Sequence, residues 1–328
     1  MRKVYYNGMM IDECDAKVSI YDSAMMFGDT IFEMTRSFNK KQFKLEEHID
    51  RLYMSAKYLH LEIPISKIEL IKAVNMTIEA NEDEFKDDDE HRIMINVTRG
   101  ILGLYQDHID EHKGANIFIA DFPLRWTTAG MGKLFTSGIN AVIPSQRAIP
   151  SYLLEPKVKN RSRLHYLMAN IEVSKIKGDN NWALLLTPDG FVAEGTGDNF
   201  FITKGNTLYT PKGNHILRGI SRDYIAELAN MKIFYNDCKE IDMDVYDVME
   251  ADEAFMTGTP FCMLPVTSIN GVDIGNGKVG YMYKDLLESW SNAVEINIQT
   301  QIERWDSQSG SVRPSGATPY EFKTQDPN

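Results

Sequence analysis

Apolar and polar positions first alternate at residues 17–22, "KVSIYD", the pattern of a half-buried strand. Strand-like runs follow at 30–38 and 41–45, with "NKK" between them as a turn. The period then changes. In residues 46–64, "EEHIDRLYMSAKYLHLEIP", Ile49, Leu52, Tyr53, Ala56 and Leu59 recur three and four apart, which predicts a helix that Pro64 closes. Residues 67–80 repeat the helical rhythm. The acidic stretch 81–92 has no periodic apolar position and reads as a solvated loop. Strands are expected at 93–100 and 115–120, and residues 121–132, with one proline and two glycines, read as a linker.

Beyond the linker the spacing predicts a strand over 134–143, a helix over 163–178 and a hairpin turning on Pro188-Asp189-Gly190. A second hairpin turns on Lys204-Gly205-Asn206, and a short helix follows with Ser221 as its N-cap. A strand that breaks at Gly258 and a helix over 279–294 complete the pattern. From about 303 the chain becomes polar and rich in Ser, Gly and Pro, so an extended arm is expected there. The pattern describes an α+β chain with a smaller α/β domain at 1–120, a linker at 121–132, a larger domain at 133–302 and a polar tail at 303–328.

Composition narrows the function. Asp and Glu total 47 against 35 Lys and Arg, a net charge of −12 that repels a phosphate backbone or an anionic membrane surface. Nucleic acid and membrane are therefore not expected partners. The first residues lack a signal-type apolar run, and a cytoplasmic address is the expectation. Cys14, Cys238 and Cys262 are too few and too scattered for a disulfide framework.

The chemistry-bearing residues are modest when taken singly. His108 and His112 stand four apart but lack a clear third ligand, and no metal is expected. Glycine turns at 194–199, 217–221 and 256–260 could each present backbone N–H groups to an anion, yet none matches a nucleotide-binding motif. The stretch 156–163, "PKVKNRSR", places Lys157, Lys159, Arg161 and Arg163 on alternate positions before an apolar helix-forming run. Such a ladder is either a solvated strand end or the seat of a nucleophilic amine.

In one order along the chain, "VSIYDSAMMFGDTIFE", "LEEHIDRLYMSA", "GFVAEGTGDNFFI", "ILRGISRD" and "ADEAFMTGTPFCMLPV" resemble the signatures of the fold-type IV, or class IV, pyridoxal-phosphate aminotransferases. This group includes branched-chain and D-amino-acid aminotransferases and aminodeoxychorismate lyase. The resemblance runs from about Val18 to Gly280 and implies a two-domain architecture whose larger domain has a β-barrel-like core. It also implies a homodimer or larger homo-oligomer.

The resemblance implies pyridoxal 5'-phosphate held as an imine on a lysine at the end of a strand. Lys159, seven residues before Tyr166 and thirty-five before Glu194, fits the family separations better than Lys157, which stays as the second candidate. A lysine amine is protonated at neutral pH, so burial and neighbouring positive charge must lower its pKa, a task to which Arg161 and Arg163 are suited. Glu194 is expected at the pyridine nitrogen, Tyr166 at the ring oxygen and Arg51 at the phosphate, with Gly197, Leu217, Gly219, Ile220, Ser221, Gly258 and Thr259 completing the cradle. Phe32, Arg36, Arg99 and Trp126 are the expected substrate residues. Phe27 and Val97 stand where branched-chain enzymes carry tyrosines, and the loop after Arg99 lacks the Arg-x-His trap of D-amino-acid enzymes. The implied activity is amino transfer between an amino acid or primary amine and a 2-oxo acid, with branched-chain-like L-amino acids ahead. D-amino-acid or (R)-amine transamination, a lyase reaction on the same imine and an idle cofactor-binding protein are the alternatives.

Overall fold

The computed structural model describes residues 1–109, 112–178 and 180–308. Two units separate by their internal contacts: residues 1–127 with 158–163, and residues 128–157 with 164 onward.

The first unit is built from β1 (Lys3–Tyr6), β2 (Met9–Asp12), α1 (Ser23–Phe27), β3 (Thr30–Met34), β4 (Ser37–Phe38), β5 (Lys41–Gln42), α2 (Leu45–Tyr58), α3 (Lys67–Glu79), β6 (His91–Thr98) and β7 (Asn116–Pro123). Five strands form one sheet in the order β2-β1-β7-β6-β3. Alternation on β6 divides the sheet into two faces. Ile93, Ile95 and Val97 are fully buried against Ile49, Leu52 and Ala56 of α2 and Leu70, Ala73 and Val74 of α3. Each such side chain contributes about 1.5–3 kcal/mol by leaving water. Arg92, Met94 and Asn96 take the other parity. Helix α3 starts where expected because Ser66 and Glu69 close a capping box.

The segment 158–163 extends this sheet beyond β3. The Phe32 N–H donates to the Lys159 carbonyl at 3.0 Å, and the Arg161 N–H to the Thr30 carbonyl at 2.9 Å. Gly28 ends α1 at φ +67°, and a Cβ there would sit 2.7 Å from Ser162 Oγ.

The second unit contains α5 (Leu134–Ser137), β8 (Ile139–Val142), α6 (Leu164–Ser174), β9 (Asn181–Leu186), β10 (Val192–Gly195), β11 (Asn199–Lys204), β12 (Thr207–Pro211), α7 (Ile220–Asn230), β13 (Asn236–Ile241), α8 (Val245–Met249), β14 (Glu253–Gly258), β15 (Cys262–Ile269), β16 (Val272–Asp273), α9 (Tyr281–Ala293) and α10 (Ile298–Gln308). A short helix, α4 (Arg125–Thr128), precedes them. The run β10-β9-β8-β15-β14-β11 closes on itself through a β10–β11 pairing, which gives a six-stranded barrel-like ring. β12 and β13 continue outward from β11.

Several expectations are corrected. Residues 17–22 alternate but pair with no strand apart from one bridge, Asp22 to Ile101; Ile20 is exposed, and buried Asp22 serves as the N-cap of α1. The acidic stretch 81–92 is not simply solvated. Glu90 is buried and accepts from Ser37 Oγ and the N–H groups of Asn39 and Lys40, while Arg125 pairs with Asp88 and Asp89. Residues 121–123 belong to β7. Helix α7 is capped at Gly219 rather than Ser221, which lies inside the first turn, because Gly219 still has extended dihedrals. Residues 303–308 are helical, not an arm: Ile298, Ile302 and Trp305 recur at helical spacing and are buried, and the Asp306 carboxylate accepts from the N–H groups of Gly130 and Gly132. The remainder of the expected tail lies outside the described residues.

Candidate active site

In the first unit, strand parity sorts the basic ladder. Val158 points into the helix-side core, so Lys159, Arg161 and Arg163 rise on the opposite face, over the ring of Phe32 at 4.8, 3.7 and 5.7 Å from its centroid. Lys157 falls in the second unit, where its ammonium pairs with Glu155 at 2.8 Å. Arg161 donates twice to Asn96 Oδ1, at 3.0 and 2.9 Å. Burial, and then the charge of Arg163, push its pKa down to about 10.

Arg92, which the sequence reading passed over, is buried on the same face. Its Nε and Nη1 have no hydrogen-bond partner, and its Nη2 reaches only Met34 Sδ, at 3.7 Å. Burial, with Arg36 and Arg161 adding like charge, lowers its pKa to about 9. Arg36 is buried as well, its guanidinium 3.9 Å from the Phe38 ring centroid and its Nε donating to the Ser37 carbonyl.

Other expected residues are engaged elsewhere. Arg99 donates to Asp29 at 2.6 Å and to the carbonyls of Leu59 and His60, tying the end of α2 to the α1–β3 turn. Trp126 stacks on Phe122 and receives Arg2 over its ring. Arg51 directs Nε and Nη2 at the two oxygens of Glu33, at 2.7 and 2.8 Å, and His48 Nδ1 lies 2.7 Å from Glu33 Oε2. Burial opposes the charge on fully buried Glu33, but Arg51 and His48 outweigh it and hold the carboxyl far below the usual carboxylate range. Burial also keeps His48 toward its neutral form.

In the second unit, Glu194 on β10 is the hub. Its Oε1 accepts from the Tyr166 hydroxyl of α6 at 2.7 Å; its Oε2 accepts from Asn199 Nδ2 at 3.2 Å and the Leu217 N–H at 3.0 Å. These three donors are uncharged, and between them they fix the orientation of the carboxylate. Gly219 leads into α7 beside Asn199, and a Cβ there would lie 2.1 Å from Asn199 Oδ1. Across the ladder Asn199 pairs with Thr257, whose buried hydroxyl has no hydrogen-bond partner. Gly258 follows, close to the Gly197 carbonyl, with Thr259 at the start of the next turn. These contacts link Tyr166, Glu194, Gly197, Leu217, Gly219 and Gly258, and Ile220, Ser221 and Thr259 adjoin them in the chain. Asn199 and Thr257 join them unforeseen. Among the described residues, no group of three or more His, Cys, Asp or Glu could hold a metal ion.

Residues 30–269 match the family model described as amino-transferase class IV. The chain belongs to the class IV aminotransferases. It is 38% identical over 291 residues to a Methanocaldococcus jannaschii protein named provisionally as a branched-chain-amino-acid aminotransferase, covering 88% of this chain and 96% of that one. It is 27% identical to a D-alanine aminotransferase of Bacillus licheniformis, covering 89% and 97%. Among solved structures, a T.th. branched-chain amino acid aminotransferase with pyridoxamine 5'-phosphate superposes with a TM-score of 0.77 at 26% identity, covering 93% and 97%.

This class IV aminotransferase is a pyridoxal-phosphate-dependent transaminase of fold type IV, acting on an amino acid and a 2-oxo acid. The residues present fit that cofactor. An oriented carboxylate suits a ring N–H, an unpartnered buried Thr257 hydroxyl suits a ligand oxygen, and the helix start at Gly219 suits a phosphate.

Proposed function

We propose that Lys159 carries the cofactor and that the enzyme transfers amino groups between branched-chain-like L-amino acids and a dicarboxylic 2-oxo acid. The observation that carries the lysine assignment is the face it occupies: Lys159 lies over Phe32 beside Arg161 and Arg163, cations that disfavour its protonated form. When bound, the pyridoxal ring supplies an electron sink for the carbanion left by Cα–H cleavage. The Lys159 amine takes that proton from Cα and returns it on the other side of the exchange. Glu194, oriented by Tyr166, Asn199 and the Leu217 N–H, holds the ring-nitrogen proton. Arg51, held by Glu33, is the first unit's candidate for the phosphate, and the N–H groups at the start of α7 and at Gly258 and Thr259 are the second unit's.

The branched-chain preference rests on the relatives' names. The dicarboxylic partner rests on Arg92, a buried cation whose Nε and Nη1 lack partners and which an anionic side-chain group would satisfy. Arg36 adds charge beside it. Exposed Val18, Ile20, Met25, Met26 and Phe27 support assembly as a homodimer.

Borohydride treatment followed by peptide mapping tests the lysine. A tag on the peptide containing Lys159 is expected; a tag on Lys157, or none, overturns the assignment. Bleaching of the visible absorption by L-leucine, L-valine and L-glutamate, but not by their D-forms, tests the substrate reading.

A further inference from the structure

We propose that Arg161 is a positioning residue for Lys159, a fixed positive charge on the same Phe32 ring that keeps the lysine nitrogen from holding a proton. The inference rests on Lys159 being the cofactor-bearing residue.

Three constraints keep the Arg161 guanidinium in place. Its backbone N–H is bonded to Thr30, its side chain stacks 3.7 Å from the Phe32 centroid, and two of its nitrogens grip one oxygen of Asn96. Asn96 is uncharged, so it fixes the cation without neutralising it. Lys159 lies two residues back on the same strand face, 4.8 Å from the same centroid. Partial burial limits solvent screening between the two. A like charge at such range disfavours the protonated form of its neighbour.

The other charged groups around Lys159 leave Arg161 well placed for this role. On its own strand Arg163 shares the ring at the longer distance of 5.7 Å. From α2, His48 is kept toward neutral by burial, and Lys159 contributes to that in turn. Arg51 of α2 is matched by Glu33 of β3, whose carboxylate is divided between Arg51 and His48. β6 contributes Asn96 and Arg92, a second cation. Removal of the Arg161 charge should therefore raise the pKa of the lysine-bound nitrogen.

The test is a pH titration of the visible absorption of the holoenzyme, with thermal unfolding to establish that each variant is folded. Arg161→Gln should move the midpoint up by about one unit, while Arg161→Lys, which keeps the charge, should leave it near the wild-type value. Asn96→Asp leaves the arginine in place but pairs it with a carboxylate, and should also move the midpoint up. It serves as the measurement if the glutamine variant does not fold. A folded Arg161→Gln or Asn96→Asp protein that titrates like wild type overturns the proposal. Borohydride mapping on the same samples separates the two ways of failing. A tag away from Lys159 removes the premise, whereas a tag on Lys159 with an unmoved midpoint rejects the role of Arg161 alone.

Discussion

At the scale of single residues, charge placement decides most of the chemistry. Lys159→Ala should abolish covalent cofactor and lower turnover by about a thousandfold or more, as expected for loss of a general base. Lys157→Ala removes a partly exposed ion pair with Glu155 and should cost at most about 1 kcal/mol, with cofactor retained. Mass spectrometry after reduction checks both. Arg92→Met keeps the volume but removes the charge. It should raise KM for a dicarboxylic 2-oxo acid about tenfold or more and leave a monocarboxylic acceptor nearly unaffected.

Glu33 makes a prediction about stability. Glu33→Gln removes one partner of a buried charge group and should cost about 3–5 kcal/mol in denaturant unfolding at pH 7. The wild-type carboxyl is held below its ordinary value of 4.5 in the folded state. Its contribution is therefore complete above that pH and is lost progressively as pH falls below it, toward the folded-state pKa. The glutamine variant should lack this component of acid sensitivity, so the gap between the two proteins should narrow as pH falls from about 5 toward about 2.

At the scale of elements, what could be read from the chain depended on whether a segment carries its own partner. Helices α2 and α3 were legible because their apolar stripe and the Ser66 cap are local. The β1–β2 hairpin was equally local and was missed. Asn7 and Gly8 both have positive φ, and Tyr6 pairs with Met9 across a two-residue Asn-Gly turn, a strong hairpin signal. "KVSIYD" shows the opposite error, alternation without a strand to pair with. Arg92 and Asn96 were within reach, since polar residues of one parity between Ile93, Ile95 and Val97 mark a second face on a central strand. Asn199 and Thr257 were not, because their proximity follows only from strand register. The Gly219 cap makes a test at this scale. Gly219→Ala would press a methyl group into Asn199 and disturb the grip of Asn199 on Glu194; a loss of about 1–3 kcal/mol is expected, with faster cofactor release on dialysis.

At the scale of the whole molecule, the family was legible because several short signatures occur in one order, although no single glycine turn would have shown it. What one chain cannot explain is the apolar surface around α1. That helix is five residues long and is held by polar contacts: buried Asp22 accepts from the Ala24 N–H, Thr98 Oγ1 and Asn116 Nδ2. These bonds anchor it through Asp22, while Met25, Met26 and Phe27 are exposed, as is Ile20 shortly before them in the chain, with Phe27 71% exposed. Apolar exposure of this kind marks a surface that associates, and a second copy of the chain is the occupant we propose. Phe27→Asp combined with Ile20→Asp should then convert a dimer to a monomer in sedimentation equilibrium. Since both side chains are solvent-exposed, the unfolding free energy of the monomer itself should change by no more than about 0.5 kcal/mol per site. A double variant that remains dimeric would place the interface elsewhere, and a wild-type protein that sediments as a monomer at micromolar concentration would leave these residues without a role in assembly.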